Sequence, residues 1–104
     1  MRNIVLHGVV RGEVDAAGAL AKVFVAGHAF GLATLLIRVE GPRGTLETAA
    51  GANPRTHQWL ARFDDADGLR DAGFALGVKV RVVAADLSDP DGCYSSSTST
   101  VEAG

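Results

Sequence analysis

The sequence predicts a single all-β domain, on three observations. Short segments alternate apolar and polar residues with a period of two. Those segments concentrate Val, Ile, Thr and aromatic side chains. Turns built from Gly, Pro, Asn and Asp separate them at intervals of about 8–15 residues. The 104-residue length suits one core, because two smaller cores would each bury too little apolar surface.

Taken in order, residues 3–11 (Asn-Ile-Val-Leu-His-Gly-Val-Val-Arg) are apolar and β-branched and predict a strand, with Gly8 breaking the alternation as a bulge would. Residues 13–26 carry two signals. Val14, Ala17, Ala21 and Phe24 have helical spacing in an alanine-rich stretch, but Gly18 interrupts it and Lys22-Val-Phe-Val-Ala reads as a strand. A turn at 14–18 followed by a strand at 20–26 is preferred to a helix. In residues 32–40, Ala33, Leu35, Ile37 and Val39 share one face, and Thr34, Leu36, Arg38 and Glu40 share the other. Residues 45–50 form a weaker candidate strand between the turns at 41–44 and 51–54.

Residues 56–63 put His57, Trp59, Ala61 and Phe63 on one face, yet Leu60 sits on the other, so periodicity leaves the inward face open. Residues 64–73 read as a loop. Residues 78–85 alternate strictly, with Val78, Val80, Val82 and Ala84 opposite Lys79, Arg81, Val83 and Ala85. After a turn at 88–92, the run from Cys93 to Glu102 is long and hydroxyl-rich, which predicts an edge strand or an extended tail over residues 93–104. Together these elements predict an Ig-like antiparallel β-sandwich of about seven strands, with a small barrel as the alternative. No α–β alternation or solenoid repeat is present.

Composition narrows the function classes. Ten basic against twelve acidic residues give a net charge of −2, which offers no clustered positive field for nucleic acid or an anionic membrane. One cysteine can make neither an intrachain disulfide nor a Cys-based zinc site. No apolar run reaches the roughly 18 residues of a membrane span.

Chemistry-bearing residues are sparse. His7, His28 and His57 lack the spacing by which one element presents two metal ligands, so structural or surface roles are expected and no metal or cofactor is assigned. Asp64, Asp65 and Asp67 before Gly68, and Asp89 and Asp91 before Gly92, raise a calcium reading, though both patterns also suit ordinary turns. The serines lie in one alternating strand without a nucleophile elbow, and acidic neighbours disfavour a thiolate at Cys93. No catalytic residue is assigned, and a non-enzyme is expected.

Residues 23–40 (Val-Phe-Val-Ala-Gly-His-Ala-Phe-Gly-Leu-Ala-Thr-Leu-Leu-Ile-Arg-Val-Glu) resemble a strand, Gly-Phe-Gly turn and second strand of small virion proteins of tailed bacteriophages. The Trp-containing segment at 56–63, the strand Gly77-Val-Lys-Val-Arg-Val-Val and the hydroxyl-rich close at 84–101 follow in the same order, so the resemblance spans about residues 20–101. It implies a non-enzymatic virion component, a head decoration or fibre-type protein or a tail accessory. Such a component would be located in the virion and bound to capsid or tail proteins, as a homo-oligomer with a trimer as one candidate state. Many copies on a lattice gain avidity from modest interfaces. Phe24, Leu36, Val83 and Tyr94 are the candidate interface residues. The alternative from another class is a carbohydrate-binding module, for which Trp59, Tyr94 and four phenylalanines are the available platforms.

Overall fold

The computed structural model describes residues 3–104, apart from the side chain of Cys93. Seven strands, β1 (Ile4–Val14), β2 (Leu20–Ala29), β3 (Thr34–Glu40), β4 (Thr45–Gly51), β5 (Gln58–Phe63), β6 (Lys79–Asp86) and β7 (Asp89–Ala103), make one sheet in the order β4-β3-β6-β7-β1-β2-β5. Neighbours are antiparallel except β1 and β7, which run parallel. The sheet curls until it is nearly barrel-shaped. Its two end strands are tied by the loop between them, where the Asn53 N–H donates to Gln58 C=O and the His57 N–H to Asn53 C=O. The all-β class, the single domain and the strand number agree with the sequence.

The alternation in the sequence becomes the two faces of this sheet. Leu35, Ile37 and Val39 of β3 and Val80, Val82 and Ala84 of β6 are buried, while Lys79 and Arg81 face water. On β5 the open question is resolved: Trp59, Ala61 and Phe63 enter the core and Leu60 is 61% exposed. Antiparallel register sets Arg38 opposite Glu47 and Glu40 opposite Arg81, and both pairs close as ion pairs, at 2.8 and 3.3 Å. Exposed pairs of this kind contribute only about 0–1 kcal/mol each, so they fix register more than stability.

The ambiguous segment is a hairpin. Asp15 Oδ1 accepts from the Ala17 and Ala19 N–H groups, Gly18 takes φ +84°, and β2 begins at Leu20. Strand wins over helix because period-two burial of Val23, Val25 and Ala29 meets both β1 and β5. β2 continues to Ala29, three residues past the end expected at 26. The bulge also forms: Gly8 has φ +80°, and the β1–β2 register shifts between Leu6 and Val10.

Two expectations are corrected. The hydroxyl-rich segment is neither edge nor tail, because β7 lies inside the sheet between β6 and β1. Its polar sequence has a structural use. The ladder to β1 covers only Val10–Gly12, and where β1 bulges the Ser95 and Ser99 hydroxyls donate to the Ile4 and Gly8 carbonyls at 2.7 and 2.8 Å. Ser99→Ala is therefore expected to cost about 1–2 kcal/mol in urea unfolding, since it orphans a carbonyl beside a buried side chain.

The loop at 64–73 contains a short helix, α1 (Ala66–Asp71). Asp65 caps it through Gly68 N–H, and Gly73 at φ +87° ends it, with Gly73 N–H donating to Arg70 C=O and Phe74 N–H to Leu69 C=O. That pair of bonds is a Schellman ending, and it turns Phe74 into the core beside fully buried Leu69. The Arg43 guanidinium donates to the carbonyls of Arg70 and Asp71, placing a cation at the negative end of the helix. Loss of the cap in Asp65→Ala should cost about 1 kcal/mol in the same unfolding measurement.

Candidate functional site

The four candidate interface residues fall on two faces. On the outward side of β3, β6 and β7, the register puts Leu36 opposite Ala85 and Ala85 opposite Tyr94, with Val83 in the next row beside Ser96. Leu36 and Val83 are half-buried and Tyr94 is 43% exposed. Ala85 between them is buried although it lies outside the core cluster, so this face is apolar at its centre. The ion pairs Arg38–Glu47 and Arg81–Glu40 border it.

Phe24 is apart from these three. It lies on the outward side of β1, β2 and β5, opposite Arg11 and Arg62. A shallow groove of about 340 Å³ there is lined by His7, Val9, Arg11, Phe24, Ala26 and Leu60. The glycan-platform reading loses its central residue, because Trp59 is 3% exposed and packs inward.

What the residue spacing does not reveal is a row of rings at one end of the same sheet. Val5 pairs with His28 across β1–β2, and His28 pairs with Gln58 across β2–β5. This brings His7 Nε2 to 2.7 Å from His28 Nδ1, a hydrogen bond in which one imidazole donates and the other accepts. Phe30, 46% exposed, stacks nearly parallel to His28 with centroids 6.1 Å apart, and His57 packs on Phe30 at 5.0 Å. His57 itself holds φ +63°, fixed by its N–H to Asn53 C=O and by accepting the Ala29 N–H on its own carbonyl.

The carboxylates of the first acidic loop are dispersed. Asp64 is 3.6 Å from Arg62, Asp65 caps α1, and Asp67 pairs with Arg70 at 3.1 Å. At the β6–β7 turn, Asp86 Oδ1 accepts both the N–H and the hydroxyl of Ser88. Among the described residues, no group of three or more His, Cys, Asp or Glu side chains is placed to hold a metal ion, and no helix is long and apolar enough to cross a membrane. The reading of Cys93 as an inert thiol concerns a side chain outside the described part of the structure. Searches for similar proteins give no matching family model, curated protein or solved structure.

Proposed function

We propose that this chain is a non-enzymatic structural component of a tailed-phage or phage-like virion, a head decoration or fibre-type accessory that docks on other virion proteins as a homo-oligomer. The observation that carries the reading is the gathering of Leu36, Val83 and Tyr94 on one outward face around buried Ala85. A continuous apolar patch bordered by neutralised ion pairs suits protein contact, and repetition on a lattice multiplies a weak contact into stable attachment.

The Ig-like assignment belongs to the same proposal. The order β5-β2-β1 beside β7-β6-β3-β4, joined by the parallel β1–β7 pair, supports two layers of three and four strands. A core that draws on small residues such as Ala29, Ala50, Ala61 and Ala84 fits a subunit stabilised in part by its neighbours.

Mixed with expanded capsids and with tails of the cognate phage, the purified chain should co-sediment saturably with one of them. Leu36→Lys with Tyr94→Lys should abolish that binding, about tenfold or more in apparent affinity, and leave the melting temperature nearly unchanged. Pelleting with neither particle would overturn the reading.

A further inference from the structure

We propose that the imidazoles of His7 and His28 form a surface binding site for a single square-planar transition-metal cation, Cu(II) above all. Two nitrogens of different strands already converge: His7 Nε2 and His28 Nδ1 stand 2.7 Å apart. Imidazole–metal bonds are about 2.0–2.1 Å, so cis ligands of a square-planar ion lie about 2.9 Å apart and those of a tetrahedral ion about 3.3 Å. The pair opens by about 0.2 Å for the first geometry and by about 0.6 Å for the second, and for either one both rings turn so that lone pairs now aimed along the line between the nitrogens converge on the ion. Cu(II) is the ion to test first because the Irving–Williams order places it above Ni(II) and Zn(II) at imidazole nitrogen.

The surroundings hold this arrangement in place. Both histidines sit on paired strands of one sheet, and the Gly8 bulge directly follows His7. Phe30 lies parallel to the His28 ring, with an interplanar angle of 6°, and the His57 ring packs against Phe30 with centroids 5.0 Å apart. The hydrogen bond holds these two nitrogens facing each other, with the proton on one of them. When a cation binds, the donor ring carries its proton on its other nitrogen instead, so both imidazoles stay neutral and each offers a lone pair, and the cation keeps its other positions for water. His7 is exposed and His28 half-buried, so entry requires no opening of the core.

The test is a titration of the untagged full chain with Cu(II), followed calorimetrically and by electron paramagnetic resonance. One Cu(II) per chain is expected, with nitrogen superhyperfine structure from two imidazoles. His7→Ala and His28→Ala should each weaken binding about tenfold or more and remove the two-nitrogen pattern, whereas Asp65→Ala, at the remote helix α1, should change affinity less than about threefold. Circular dichroism of the variants checks that the sheet is intact. Equal binding by wild type, His7→Ala and His28→Ala would overturn the site, as would a spectrum without imidazole coupling.

Discussion

Trp59→Ala is expected to lower the unfolding free energy by about 3–5 kcal/mol, the cost of deleting a large aromatic side chain from a packed core. A domain of this length has about 5–15 kcal/mol in total, so the variant should melt at least about 12 °C lower and be partly unfolded under ordinary conditions. Trp59 carries this weight because its surroundings are small. It is 3% exposed on β5, its strand neighbour on β2 is Gly27, and Ala61 follows it on the same face. Small neighbours cannot collapse far enough to fill the hole. Trp59→Phe separates this packing role from the indole nitrogen. Nε1 is buried without a hydrogen-bond partner among the described residues, so phenylalanine removes that buried donor while keeping most of the ring volume. It should cost about 1–2 kcal/mol, well below the alanine variant. Chemical denaturation of the three proteins checks the order, and an alanine variant losing less than about 1 kcal/mol would refute the packing account.

The parts of the fold legible in the sequence are those where one strand face is buried and the other wet. β3 and β6 show it, with Leu35, Ile37, Val82 and Ala84 inside and Arg38 and Arg81 outside. The β1–β2 hairpin was legible because Gly18 stands where a turn needs a left-handed residue. β7 was misplaced for a physical reason: a strand interior to a sheet usually reads as apolar, and this one places serines beside a bulged partner whose carbonyls need donors. The contacts that reveal this join Ser95 to Ile4 and Ser99 to Gly8, each 91 positions apart, beyond the reach of any local pattern. Helix α1 escaped because its six residues contain Gly68, while its cap Asp65 and its terminator Gly73 also suit a plain loop.

The histidine pair was not legible in the sequence. The hairpin begins with Val14 opposite Leu20, but its register shifts between Glu13 and Val14 and again between Leu6 and Val10 before Val5 meets His28, which sets His7 one row away on the same face. Spacing rules for metal ligands look along one element, and here the two rings come from two strands whose register depends on bulges that the residue pattern does not fix. Two candidate interface residues, Leu36 and Val83, could be grouped only once β3 was known to pair with β6. Phe24, of similar character, is carried by β2 to the opposite side of the molecule, where it lies near the histidines rather than with the other three.

Gly27→Ala is expected to destabilise the domain by about 3 kcal/mol or more, at the upper end for a single added methyl group. Gly27 is buried near the C-terminal end of β2, paired with Leu6 on one side and Trp59 on the other. A β-carbon there would overlap the Val5 carbonyl oxygen and stand 2.5 Å from Trp59 Cζ2. The ring has little room to move, because Trp59 is itself packed in the core, and the carbonyl belongs to the β1 backbone. Relief therefore requires β1 and β2 to part, in the strand pair that also sets His28 against His7. Measured in a Trp59→Phe background, the Gly27→Ala penalty should shrink without vanishing. The smaller ring yields, the Val5 carbonyl does not, and the two substitutions should couple by about 1 kcal/mol. An unreduced penalty would assign the whole collision to the backbone; a penalty below about 1 kcal/mol in the wild-type background would mean that the strands are looser there than the structure requires. The histidines supply a second readout. Because His28 follows Gly27 directly, Gly27→Ala should also weaken Cu(II) binding, whereas Asp65→Ala, at the remote helix α1, should leave it unchanged.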